Sequence, residues 1–122
     1  AMIVAGMGFR KGADLAALQA AFLAAGGARA VALATAEDKA QAAVFVQFAA
    51  LCGLPVHAIS ATDLAAQATP TQSARVAALY GTGSLAEAAA LAAVGPGARL
   101  LRARVQSQDG MATAALAERS VR

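Results

Sequence analysis

Two glycine-rich segments carry the residue types best suited to hold an anion: Gly6-Met7-Gly8-Phe9-Arg10-Lys11-Gly12 and Gly81-Thr82-Gly83-Ser84-Leu85-Ala86-Glu87. The first follows the apolar run Ile3-Val4-Ala5 and sets Arg10 and Lys11 in what reads as a strand-to-helix turn built on Gly6, Gly8 and Gly12. An arginine there can grip a carboxylate or phosphate with a planar fork of N–H groups, with backbone amides beside it. The second opens a helix with Ser84, and Glu87 three residues later has the spacing of a capping box that aims the first backbone N–H groups outward. Gly81 and Gly83 leave room for a ligand to approach the backbone. Each segment also has a plain structural reading, in which the glycines permit a tight turn, Arg10 and Lys11 are solvated, and Ser84 with Glu87 merely satisfies a helix start.

Asp38 and Lys39 follow the second apolar run, where α/β sheets present functional loops, although an exposed ion pair explains them equally well. Arg102 and Arg104 alternate with apolar residues and fall on one face of a strand, either as ligand contacts or as charges that protect a sheet edge. Cys52 and His57 are the single cysteine and histidine. That excludes an intrachain disulfide and a cluster of soft metal ligands, so no metal site and no protein-ligated cofactor is expected. Cys52 sits among apolar neighbours as a packed thiol, and His57 lies within a strand. No nucleophile, base and orienter appear in a recognisable order, so no catalytic residue is assigned. The glycine spacing is looser than the dinucleotide fingerprint and no acid ends the second strand at Ala34, which argues against an NAD site.

The elements that must position these residues alternate. Ile3 to Ala5 reads as a strand, then a helix capped by Asp14 with Leu15, Leu18 and Phe22 at helical spacing, stopped by Gly26-Gly27. Ala30 to Ala34 supplies a second strand. A helix from Glu37 with Val44, Phe48 and Leu51 on one face ends at Gly53, and Pro55 to Ile59 forms a third strand. Ser60 with Asp63 opens a short helix through Gln67, Thr69-Pro70-Thr71 makes a loop, and Ser73 to Leu79 forms another short helix. The alanine-rich helix Leu85 to Val94 ends at Gly95-Pro96-Gly97. Leu101 to Val105 and Met111 to Ala117 are strands joined by a turn too short for anything but an antiparallel hairpin. The expected fold is a three-layer α/β/α domain with a mixed, mostly parallel sheet and an antiparallel C-terminal hairpin.

The 122 residues make one domain, and Ala1 ahead of Met2 reads as a remnant of cloning, so the natural start is expected at Met2 with no leader and a cytoplasmic location. The apolar fraction is 59%, mostly alanine, which signals close helix packing. The longest stretch without a charged residue, Ala40 to Thr62, has the length of a membrane helix, about 23 residues, but Gly53 and Pro55 break it. No membrane association is expected. The net charge of +3 is spread along the chain without aromatic interleaving, which disfavours nucleic acid and suits a small polyanion.

Taken together, the segments GMGFRKG, ATAEDKA, LCGLPVHAISATDL, YGTGSLAEAAAL and RVQSQDGMATAALA resemble the cobalamin-biosynthesis family that comprises CobE and the C-terminal domain of CbiG. The likeness covers nearly the whole chain. It implies a three-layer α/β/α domain acting between precorrins and the corrin ring, in the stand-alone CobE form. In CbiG a similar domain follows others, in an enzyme that opens a cobalt-precorrin lactone and releases acetaldehyde. Position by position, the family's first glycine-arginine segment falls on Gly6, Gly8, Arg10 and Gly12. Its lysine after the second strand falls on Lys39, and its helix-opening motif on Gly81, Gly83, Ser84 and Glu87. This chain departs from relatives at Phe9, where they often carry a cysteine. It departs again over Arg104, Val105, Gln106 and Ser107, where they tend to carry lysines and a serine.

The resemblance therefore implies a precorrin-type tetrapyrrole as ligand, with Arg10 as an anchor, Lys39 as a second cation and the Gly83-Ser84 amides as a carboxylate cradle. Asp38, Arg104 and Ser107 complete the candidate set. Ring contraction or release of a two-carbon fragment would be the assisted step, with Asp38 or Glu87 as the available acid or base. A second reading is a non-catalytic module that docks on a corrin-pathway enzyme, and a third is a nucleotide-binding domain. Association of two copies is compatible with the sequence.

Overall fold

The computed structural model describes residues 2–119. Strand β1 (Ile3–Phe9) leads to helix α1 (Leu15–Ala24), strand β2 (Ala32–Ala36), the single turn α2 (Glu37–Ala40), helix α3 (Ala43–Cys52) and strand β3 (Val56–Ile59). Helices α4 (Ala61–Ala65), α5 (Ala74–Tyr80) and α6 (Leu85–Val94) follow, then strands β4 (Ala98–Gln106) and β5 (Ala112–Arg119). The five strands form one sheet in the order β3-β2-β1-β5-β4. β1 pairs with β2, and β2 with β3, in parallel, while β5 runs antiparallel to both β1 and β4. Four strands thus share one direction and β5 alone opposes them, giving the mixed sheet and C-terminal hairpin that the sequence predicts.

Helices cover both faces. On one, Asp14 caps α1 by accepting from the Ala17 N–H at 2.9 Å, and Leu18 and Phe22 turn inward. Phe22 meets Phe48 of α3 edge-on at 5.3 Å, and Phe45 stacks on Phe9 at 5.8 Å. On the other face α6 packs with Leu64 of α4 against Val4, Ala34 and Ala117. Four of its alanines, Ala86, Ala88, Ala89 and Ala90, are completely buried.

The sheet corrects several boundaries. Gly6 and Gly8 lie inside β1, not in a turn, because β1 continues through Phe9 by pairing with β5, Gly6 opposite Ala115 and Gly8 opposite Thr113. A Cβ on Gly6 would come within 1.9 Å of the Ala86 carbonyl oxygen, so this glycine exists to let α6 rest on the strand's backbone. β2 begins two residues later than expected because Gly27–Arg29 coil into a 3-10 turn after the left-handed Gly26. The helix expected from Glu37 to Leu51 is two, broken at Ala42, whose backbone is extended. That break turns Phe45 and Phe48 fully inside and leaves Leu51 61% exposed.

β4 starts at Ala98 and bulges twice. From Leu100 to Arg102 it advances two residues while β5 advances one, from Ala117 to Leu116. From Arg102 to Val105 it advances three while β5 advances two. Each extra residue re-aims the strand, and the single-faced alternation expected of Arg102 and Arg104 does not hold.

The contact at Gly6 sets a stability test. Any side chain there meets backbone, which cannot rotate away, so Gly6→Ala is expected to lower unfolding stability by roughly 2 kcal/mol or more, in the upper range of overpacking costs. A urea midpoint equal to that of the parent protein would contradict the close seating of α6.

Candidate functional site

At the carboxyl ends of the parallel strands, the strand order reverses beside β1, the place where open α/β sheets leave a crevice. The first two crossovers keep α1 and α3 on one face, and the third carries α6 across the other. A cleft of about 320 Å³ opens there. Its basic lining is Arg10, Lys11, Lys39, Arg75 and Arg104, and no aspartate or glutamate contributes to the wall. Val76, Leu79, Leu85 and Met111 supply apolar surface between the charges.

The five cations come from four segments of the chain. The turn after β1 is held by the Arg10 N–H, which donates to the Met111 carbonyl at 2.8 Å, and by Gly12 in the left-handed region with φ 91°. Arg10 and Lys11 are exposed at its rim. Lys39, on the turn α2, reaches back across the end of β1: its Nζ donates to the Phe9 carbonyl at 2.6 Å and lies 4.8 Å from the centre of the Phe9 ring. Burial holds this ammonium below the usual lysine range, with the Arg75 charge acting in the same direction and Asp38 against it. Phe9 thus serves as the platform for Lys39.

Arg104 depends on a buried carboxylate. Glu87 is completely buried in the first turn of α6. Its oxygens accept from the Thr71 N–H at 3.0 Å, the Thr71 hydroxyl at 2.7 Å and the Arg104 backbone N–H at 2.8 Å. The expected capping box is therefore only half made. Ser84 Oγ accepts from the Glu87 N–H at 3.3 Å, but the Glu87 side chain turns away to tie the loop before α5 to the bulged part of β4. This one group holds opposite sides of the cleft together.

Other predicted residues lie off the cleft. Gly83 and Ser84 are buried, and a Cβ on Gly83 would come 2.5 Å from the Thr71 carbonyl oxygen, so the backbone proposed as a cradle is covered by the 71–72 loop. Gly81 is the left-handed C-cap of α5, at φ 71°. Gly6 is filled over by α6, and Gly12 shapes its turn. Ser107 closes the β4–β5 turn, donating to Asp109 Oδ1 at 2.6 Å and accepting from the Ala112 N–H at 3.1 Å. Asp109, which also accepts from the Met111 N–H at 3.0 Å, has its carboxyl held below the ordinary range by these bonds. Asp38 does not line the cleft but accepts from the Tyr80 hydroxyl at 3.0 Å. Gly8, Arg10, Lys39 and Arg104 are the predicted residues that the fold gathers.

Helix α5 adds what local reading missed. It buries none of its residues, yet Ser73 at its N-cap and Arg75, Val76, Leu79 and Tyr80 along it all line the cleft. No sequence signal marks it, because α5 is apolar at every position but Arg75, like the helices that are buried. Burial, with help from Asp38, pushes the Tyr80 hydroxyl up from 10.0 to about 12. Cys52 packs against the aromatic core, where burial raises its thiol, and His57 is exposed on β3 at the sheet edge. Among the described residues no three His, Cys, Asp or Glu side chains come together as a metal group, and no single helix is long and apolar enough to cross a membrane. The arrangement is chemically suited to an anion with an apolar body, since cations and apolar side chains alternate along its wall.

The family model described as cobalamin synthesis G C-terminus matches residues 3–117. The crystal structure of CobE, a protein from the cobalamin (vitamin B12) biosynthetic pathway, is 32% identical with a TM-score of 0.84, over 95% of this chain and 89% of that one. Cobalamin biosynthesis protein chiG from Agrobacterium tumefaciens str. C58 is 37% identical with a TM-score of 0.72, over 98% of this chain and 100% of that one. No curated protein matches significantly.

Two measurements check the site. Tyr80 is the sole tyrosine, so phenolate absorbance reports it alone, and its midpoint is expected near 12. Because the folded state holds the phenol proton more tightly, this contribution to stability is complete below about pH 10 and is lost between about 10 and about 12. Asp38→Asn should lower the midpoint while burial keeps it above 10; no movement would break the assigned pair. Glu87→Gln sets an amide N–H against backbone donors and is expected to destabilise the domain by about 1–3 kcal/mol in urea.

Proposed function

The chain belongs to the cobalamin synthesis G C-terminal family and takes part in cobalamin biosynthesis, and on that premise we propose that its cleft binds a precorrin-type tetrapyrrole. The supporting observation is the convergence of five basic side chains around apolar surface with no acid in the wall. Precorrins carry acetate and propionate arms around an apolar ring, so their recognition needs separated cations and a greasy contact between them. Arg10 can fork a carboxylate in two parallel hydrogen bonds, whereas Lys39 acts as a point charge already oriented by the Phe9 carbonyl.

Holding or delivering the intermediate accounts for the residues better than hydrolysing it. The two acids considered as catalysts are engaged elsewhere: Asp38 with Tyr80, and Glu87 beneath the cleft with Thr71 and Arg104. In this reading any assistance to ring contraction or acetaldehyde release comes from orienting the substrate's carboxylates for a pathway enzyme.

Anaerobic titration with precorrin-type intermediates, followed through the pigment's absorbance, tests the proposal. Saturable binding is expected, with Arg10→Ala weakening it on the order of tenfold, the worth of a charge-assisted contact, without loss of fold. Affinity should also fall with salt, since the rim charges are exposed. Unchanged affinity in Arg10→Ala would remove the arginine from the site, and acetaldehyde formed by the protein alone would replace the binding role with a catalytic one.

A further inference from the structure

Lys39 and Arg75 both line the cleft, from α2 and α5, and the Arg75 charge opposes protonation of Lys39. Asp38, the acid whose charge acts on Lys39, accepts from the Tyr80 hydroxyl, and the Arg75 guanidinium has no hydrogen-bond partner among the described residues. Two like charges kept together beside apolar surface favour an anion between them. The apolar surface on the same wall is Val76 and Leu79, from the helix that carries Arg75, with Met111 just before β5.

Size limits what that wall can take. Pockets that enclose drug-sized ligands run from about 300 to 1,000 Å³, and this cleft, at about 320 Å³, stands at the bottom of that range. A tetrapyrrole macrocycle with its carboxylate arms is too large for a space of about 320 Å³, but one pyrrole ring with an acetate and a propionate is not. We propose that the cleft grips a single pyrrole unit of the macrocycle edge-on, one carboxylate arm between Lys39 and Arg75 and the ring edge against Leu79 and Met111. This rests on the tetrapyrrole reading above and adds to it that the remaining rings stand outside the protein, open to the enzyme that acts on them.

Porphobilinogen, a lone pyrrole bearing one acetate and one propionate arm, is the probe. It is expected to compete with the precorrin-type macrocycle for one site, and the bound macrocycle should stay accessible to a neutral collisional quencher such as acrylamide. Arg75→Met changes an exposed residue of α5 and should weaken both ligands by the same factor, on the order of tenfold. Macrocycle binding that porphobilinogen does not displace, or that shields the pigment from acrylamide, overturns the edge-on grip and leaves the tetrapyrrole site standing. No binding of the macrocycle overturns both.

Discussion

The rest of this molecule depends on the absence of a side chain at Gly6. The α6 backbone rests on β1 so closely that a Cβ at that position would meet the Ala86 carbonyl oxygen. Around the contact, Ala34, Ala89, Ala90 and Ala115 are all buried, so helix and sheet approach through the smallest residues available. A close approach of this kind yields dense packing from little side-chain volume. It also fixes the height of α6 above the sheet, and with it the depth at which Glu87 lies.

From that depth the carboxylate organises the cleft. A fully buried charge is tolerated only when its lone pairs are met, and Glu87 is met by Thr71 and by the backbone of Arg104. The bond to Arg104 is available because β4 bulges there. The bond to Thr71 sets the start of α5, whose Ser73 N–H is further held by the Gly83 carbonyl at 2.8 Å. A helix with no buried residue of its own is in this way kept against the site. The reversed strand β5 contributes as well, since by lying between β1 and β4 it sets Met111 and Thr113 beside the turn that carries Arg10.

Much of the fold was legible because its signals are local. Asp14, Ser60 and Ser84 cap helices at the places their spacing predicts, and Ser73, expected as the first helical residue, caps one. The short turn before Met111 dictated an antiparallel hairpin. The errors arose where a distant partner overrode a local pattern. Gly6 and Gly8 looked like turn residues, but β5, about a hundred residues away, extends β1 through them. Glu87 looked like a capping partner until Thr71 and Arg104 claimed its oxygens, and Leu51 looked buried until the break at Ala42 rotated α3.

The sequence by itself determined the class of the domain and the start of most helices, because each of these follows from residue type and short spacing. Tertiary structure alone decided which cations meet. Arg10, Lys39, Arg75 and Arg104 stand on four separate elements, and no local pattern relates them. Their convergence is set by strand order, by two bulges in β4 and by one buried carboxylate, which are contacts between segments far apart in the chain. The same long-range packing turned apparent ligand glycines into sites of close backbone approach.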